Sequence, residues 1–374
     1  MTGRATVRTA LAVVAIGTAA CGEGESSPRA SGPALSISQL VGQRFVFAFP
    51  GRTLPRGLAH RIRAGEAAGI VIFSRNFRSR RGLRALIRRA QRLNAASHLD
   101  APLLVMVDQE GGETNHVPGP PELSAESVGR AGDPRLARAE GRSAGRNLRA
   151  LGINVNLAPV ADVARPGSAL QREERTYGQK PAAVAALADA FAAGIEDAGV
   201  VATLKHFPGF GAAATNTDYG PVRIPHSART IRGIDEPPFV RAIRGGDRMV
   251  MLSTAIYPAL DRLPAALSRP VATGELRGRL GFVGASITDT LESPALARYG
   301  GPKQIARRAA AAGTDLLLFA RTYRAGALAA ADLERAASAG AIPRADLEAA
   351  ARRVLALRAR LPRAPRTAPA GPGR

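Results

Sequence analysis

Eight short apolar runs punctuate this chain: FVFAF at 45–49, GIVIF at 69–73, LLVMV at 103–107, INVNLA at 153–158, VVATL at 200–204, RMVML at 248–252, ASIT at 285–288 and DLLLF at 315–319. Runs that are apolar throughout, with no polar alternation, suit parallel strands buried on both faces. Between most of them lie Ala-, Arg- and Leu-rich stretches with helical spacing, over 80–96, 134–151, 181–198 and 302–312. Strand–helix alternation repeated eight times predicts an α/β fold, a single-domain (β/α)8 barrel of the TIM type. A doubly wound open sheet is the competing arrangement. With 374 residues, 45% of them hydrophobic, the chain can bury a full core.

Polar residues follow five of these runs in phase: Asp108-Gln109-Glu110 after the third, Asp162 past the fourth, Lys205-His206 after the fifth, Ser253-Thr254 after the sixth and Asp289 after the seventh. Any one of them could be a helix cap or a solvated turn. In a barrel, however, the carboxyl ends of the strands face a common mouth, so residues far apart in sequence converge there. The chain contains no metal-spaced Cys/His cluster and no phosphate-cradling GxxxxGK[ST] loop, and neither metal nor cofactor is expected.

The termini read differently. Arg4 and Arg8 precede an apolar run over 10–20 that closes on small residues and Cys21, the pattern of a secretory signal over 1–21. Thr18-Ala19-Ala20-Cys21 resembles a bacterial lipoprotein cleavage site, so Cys21 is the expected lipidation point and 22–37 a flexible tether. Because Cys21 is the single cysteine, an exported fold would have to stand without an intramolecular disulfide. The segment 361–374, rich in Pro, Arg and Ala, is expected to be a disordered tail. The formal charge of +22 invites a nucleic-acid reading. Lysine occurs only at 180, 205 and 303, the arginines are spread over most of the helical stretches, and there is no Trp. Stacking platforms are scarce, and nucleic acid is not the expected partner; attraction to anionic envelope polymers remains open.

The motifs VGQRFVFAFPG, GIVIFSRN, PLLVMVDQEGG, GINVNLAPVADV, ERTYG, KHFPG, YPALD, LRGRLGFVGASITD and AAGTDLLLF resemble, in order, those of glycoside hydrolase family 3, in its single-domain β-N-acetylhexosaminidase branch. The resemblance covers about 38–357, within a barrel domain expected over 38–360. It implies that Asp289 is the nucleophile of a retaining glycosidase that passes through a covalent glycosyl-enzyme. Asp108, Arg175, Lys205 and His206 match residues that bind the hydroxyls of the sugar. Glu110 and Asp162 match positions that either contact the sugar or support Arg175 and Lys205.

One departure bears on the chemistry. The branch normally reads KHFPGHG followed by Asp-Ser-His, whose Asp-His pair is the acid/base; here the sequence is KHFPGFG, with Phe210 at the first His position and Asp218-Tyr219-Gly220 at the pair. Asp218 is then the candidate acid if its carboxyl is screened from water, carried on a mobile loop over 208–220. His226 is a weaker substitute. The residues after the DQEGG motif are also altered, with Glu113 and His116 in place of the usual arginines. The expected protein is an exported, lipid-anchored, monomeric glycosidase that releases terminal β-linked N-acetylglucosamine from peptidoglycan or chitooligosaccharide fragments. The alternatives are a catalytically silent saccharide-binding lipoprotein and a β-glucosidase-like enzyme.

Overall fold

The computed structural model describes residues 1–2, 34–245 and 249–362. The chain divides into Met1–Leu35 and Ser36–Arg374; of the expected signal, tether and tail, residues 3–33, Cys21 among them, and 363–374 lie outside the described residues. The second unit carries eight parallel strands: β1 (Phe45–Phe47), β2 (Gly69–Val71), β3 (Leu104–Val107), β4 (Val155–Asn156), β5 (Val201–Phe207), β6 (Met249–Leu252), β7 (Ser286–Thr288) and β8 (Leu317–Phe319). They pair in the order β8-β1-β2-β3-β4-β5-β6-β7. A parallel bridge between Ile287 and Leu316 joins the two ends, which closes the barrel.

Every apolar run contains a strand; seven of the strands are shorter than their runs, and β5 instead extends past its own. INVNLA keeps only Val155–Asn156 as strand, although its flanks still bond the neighbouring strands, the Leu157 amide to the Val107 carbonyl at 2.8 Å and the Thr203 amide to the Ala158 carbonyl at 2.9 Å. Alternate residues point inward: Val46, Ala48, Val71, Leu104, Met106, Val155, Leu157, Met249, Met251, Ile287, Leu316 and Leu318 belong to one buried cluster. On β1 the other set, Phe45 and Phe47, faces outward. Phe45 stacks on Phe319 at 5.9 Å and Phe47 meets Tyr323 edge-on at 5.7 Å.

The helices begin and end where the sequence provides caps. Ser79 accepts from the Gly82 amide to start Arg80–Ala95, and Asp133 accepts from the Arg135 amide ahead of Pro134–Leu151. The amino-terminal end of the barrel is sealed by Val354 and Leu357 of the last helix, Arg344–Ala359, both in the barrel cluster. Arg358, fully buried in that helix, donates to the carbonyls of Pro102 (2.8 Å) and Ala101 (3.0 Å), to Asn94 Oδ1 (2.9 Å) and to Gln43. Burial lowers its pKa to about 10, and the acceptors around it keep the charge tolerable.

Candidate active site

A cavity of about 820 Å3 opens at the carboxyl ends of the strands. Its wall is made of residues that arrive from separate strand ends. Asp108 follows β3 directly, and Glu110 sits one step further in a short hairpin, Gln109–Gly111 with Thr114–Asn115. The hairpin is fixed by Gln109, whose Nε2 donates to the carbonyls of Val117, Gly119 and Pro120, and whose backbone pairs with the Asn156 side chain of β4.

Lys205 and His206 do not follow β5, as the apolar pattern suggested; they lie within it. The strand runs on to Phe207, and its register against β6 shifts between Leu204 and Phe207. Such irregularities re-aim side chains near a functional site. Both residues line the cavity although the strand around them is buried.

The charges then interlock. Lys205 Nζ lies 2.6 Å from Asp108 Oδ1 and 2.5 Å from Glu110 Oε1. Arg175 grips Glu110 with two parallel bonds, Nε to Oε2 at 2.8 Å and Nη2 to Oε1 at 2.9 Å, and reaches Glu173 at 2.9 Å. Burial alone would raise the Glu110 carboxyl, but the charges of Arg175 and Lys205 outweigh it and hold the group far below the usual carboxylate range. The same pairing raises Lys205 above its ordinary value despite burial. Glu110 is therefore saturated by its two cations, whereas Asp108, one-fifth exposed, keeps an oxygen toward the cavity.

Asp162 is fully buried behind this wall. Its oxygens accept from the His206 amide (3.1 and 3.2 Å), the His206 ring Nδ1 (2.8 Å) and the Phe210 amide (2.6 Å). It contributes no lining surface to the cavity and instead orients His206. Phe210 packs edge-on against the His206 ring at 5.8 Å.

Asp289 stands one residue past β7, half-buried on the cavity wall. Its amide donates to Leu252 O of β6 at 2.9 Å, and its Oδ1 accepts from the Thr290 amide at 2.6 Å. Withdrawal from water pushes its carboxyl pKa up; His206, the Thr290 amide and Lys205 oppose that shift, and Asp218 adds to it. The arrangement combines a carboxylate fixed on a strand end with a ring of charged hydrogen-bonding groups, which suits binding a polyhydroxylated ligand and attacking it at one carbon.

The 208–220 segment is not one mobile loop in this structure. Its first part is buried and tied down: Phe210 to Asp162, the Gly209 carbonyl to Tyr257 Oη (3.0 Å), the Gly211 carbonyl to the Arg165 amide (2.9 Å). A Cβ on Gly211 would stand 2.0 Å from the Val163 carbonyl oxygen, so this close approach requires glycine. The second part carries Asp218 and Tyr219 to the rim, held by Ser293 Oγ on the Thr217 carbonyl (2.7 Å) and Arg172 on Ala214 (2.8 Å). Asp218 lines the cavity but is not screened from water: its side chain is 56% exposed, with Arg321 at 3.5 Å. His226 lies outside the lining and pairs with the buried Asp235 at 3.0 Å, beside Arg165.

Residues 37–357 match the model of the glycosyl hydrolase family 3 N-terminal domain. The chain belongs to this family. Among similar family proteins are an uncharacterized secreted glycosyl hydrolase of Arthroderma benhamiae, 40% identical over 76% of this chain and 83% of its own length, and a beta-hexosaminidase of Alkalilimnicola ehrlichii, 38% identical over 68% and 73%. Among solved structures, a family 3 β-N-acetylglucosaminidase from Paenibacillus sp. str. FPU-7 superposes with a TM-score of 0.83 at 34% identity, covering 90% of this chain and 65% of that longer one. A β-N-acetylhexosaminidase from Beutenbergia cavernae gives 0.79 at 32% identity over 87% and 99%. Family 3 membership with these relatives makes the chain a glycosidase of the β-N-acetylhexosaminidase type. Among its described residues, no group of three or more His, Cys, Asp or Glu is placed to hold a metal ion.

Sequence reasoning passed over several residues that line or support the cavity. Arg321 and Tyr219 at the rim carry no signal in a chain where arginine is everywhere and Tyr219 occupies a turn. Gln109 and Asn156, which fix the hairpin, read as ordinary polar residues at strand ends. Phe73, which likewise carries no signal, lines the cavity beside His116, the altered position noted in the sequence, with the rings 5.1 Å apart.

Proposed function

We propose that the chain is an exported retaining β-N-acetylglucosaminidase acting on terminal residues of peptidoglycan or chitooligosaccharide fragments. The observation that carries the reading is the interlocked Asp108–Lys205–Glu110–Arg175 network in the same cavity as Asp289. The names of its relatives supply the sugar and the export. Asp108, Lys205, Arg175 and His206 hold the hydroxyls of the terminal sugar, and the anomeric carbon faces Asp289. An Asp289 oxygen forms a bond to that carbon as the bond to the leaving oxygen breaks, and the leaving oxygen takes a proton from Asp218. Water then attacks the same carbon, returns a proton to Asp218 and releases Asp289.

For this to occur Asp218 must turn from Arg321 into the cavity. Its exposed, ion-paired position favours a second reading, a barrel that binds saccharides but hydrolyses them poorly. Incubation with nitrophenyl β-N-acetylglucosaminide and nitrophenyl β-glucoside separates the readings. Rapid release from the first substrate alone supports the proposal, release from the glucoside points to a β-glucosidase-like enzyme, and release from neither leaves the binding protein. A lipid anchor at Cys21 belongs to the same proposal and is tested by mass spectrometry of the mature amino terminus. No helix among the described residues is long and apolar enough to cross a membrane.

A further inference from the structure

The helix Arg80–Ala95 buries Leu83, Leu86, Ile87, Ala90 and Asn94 against the barrel. On the opposite side, Arg81, Arg84, Arg88 and Arg92 fall at i, i+3, i+7 and i+11, one row centred away from the buried residues, with Arg80 and Arg89 on its flanks. All six are exposed, as is Arg78 just before the helix. The sequence from Phe77 to Leu99 contains no Asp or Glu. None of these arginines forms an ion pair among the described residues, and only Arg80 has a side-chain acceptor, the Pro118 carbonyl at 2.8 Å.

On several other helices acids offset the arginines. Arg138 and Arg142 share Asp197, Arg307 and Arg335 share Asp332, and Arg344 pairs with Glu348. Arginines occur along most of the sequence, yet here seven fall within 78–92 and the fold leaves one row of them uncompensated. The neighbouring helix Arg56–Ala64 adds exposed Arg56 and Arg63 and has no acid of its own.

We infer that this face docks on an anionic phospholipid surface. The row from Arg81 to Arg92 extends over about 16 Å along one exposed helix face, so it fits a plane of phosphate headgroups better than a single anion. It offers no aromatic side chain on which a nucleic-acid base could stack. Arginines near a negatively charged membrane strengthen binding by roughly fivefold each. The row lies on the side of the barrel, clear of the cavity, so docking leaves the mouth open to substrate. It would also fix the orientation of the barrel on that surface.

The test is co-sedimentation of the full chain, without acylation, on vesicles of phosphatidylglycerol and phosphatidylcholine, with phosphatidylcholine alone as the reference. The wild type should prefer the anionic vesicles, with affinity falling steeply as salt rises. The triple variant Arg81→Glu, Arg84→Glu, Arg88→Glu should lose at least about tenfold of that affinity, and the milder Arg81→Gln, Arg84→Gln, Arg88→Gln should lose less while melting like the wild type. A control of equal charge change on exposed arginines elsewhere, Arg229→Glu, Arg262→Glu and Arg298→Glu, should stay within about threefold of wild type. Hydrolysis of an aryl glycoside in solution should be unchanged by any of the three. Equal losses in both Glu triples would reduce the effect to net charge and overturn the assignment. So would indifference of the wild type to phosphatidylglycerol, or tighter binding of the same row to soluble polyphosphate than to vesicles.

Discussion

In the proposed mechanism Asp289 is the nucleophile, and burial gives it a testable signature. Its carboxyl is pushed up by withdrawal from water, with His206 the strongest opposing influence. A nucleophile must be ionised, so kcat/KM should fall on the acid side at a pH above the ordinary aspartate value of about 3.9, and replacing His206 with Gln should move that limb higher still. A limb at or below the ordinary value would contradict the burial argument. Asp289→Asn keeps the volume and loses the attacking charge; turnover should drop at least about several hundredfold with the thermal transition unchanged. Near wild-type turnover of any aryl glycoside by that variant would remove Asp289 from the mechanism. Asp218 requires a different measurement because its proposed part depends on the leaving group. Asp218→Ala should slow hydrolysis of natural glycosides by about 10²–10⁴ and spare dinitrophenyl glycosides, whose leaving group needs no proton. Equal losses on both, or none on either, would favour the binding-protein reading.

At the scale of elements, the loop between β5 and the rim joins two unlike halves, and the difference lies in particular atoms. Gly211 touches the 163–164 backbone so closely that Gly211→Ala must displace one segment from the other and break the bond from the Arg165 amide. The expected cost is about 1–3 kcal/mol in denaturant midpoint experiments, accompanied by weaker turnover because Asp218 lies downstream on the same segment. A neutral Gly211→Ala would mean that the close approach is not required for folding. The apolar runs made the eight strands legible, because a strand buried on both faces needs an unbroken apolar sequence. The strand ends likewise pointed to a common mouth, and Asp108, Lys205, His206 and Asp289 do line one cavity. What could not be read was set by long-range contact. That Glu110 is saturated by Arg175 and Lys205, that Asp162 is enclosed behind His206, and that Arg321 reaches Asp218 all depend on chain segments dozens of residues apart. The length of β5 was misjudged for a related reason: Lys and His are poor strand markers, and only the neighbouring strands and Asp162 hold them in extended backbone.

For the whole molecule, the site charges couple the fold to pH. Glu110 has a folded pKa far below its unfolded one, so it contributes stability that is fully present above the ordinary carboxylate value of about 4.3 and is lost as pH falls below it. Lys205, raised in the fold, contributes stability present below about 10.4 that is lost at higher pH. Urea midpoints should therefore form a plateau around neutrality, and Glu110→Gln should flatten the acid slope while lowering the plateau; an unchanged acid slope would count against the buried network. The closure between β7 and β8 has a further consequence. Its bonds include the Thr288 amide to the Leu316 carbonyl at 2.9 Å, the Leu318 amide to the Thr288 hydroxyl at 3.0 Å and the Ala320 amide to the Thr290 hydroxyl at 3.3 Å, and Asp289 sits between those two threonines. β8 is the last of the eight barrel strands to be synthesised, so a nascent chain holds Asp289 on an unfinished edge until that strand docks. Hydrolytic competence would therefore switch on only with completion of the ring, and recovered turnover in a renaturation experiment would time that final docking.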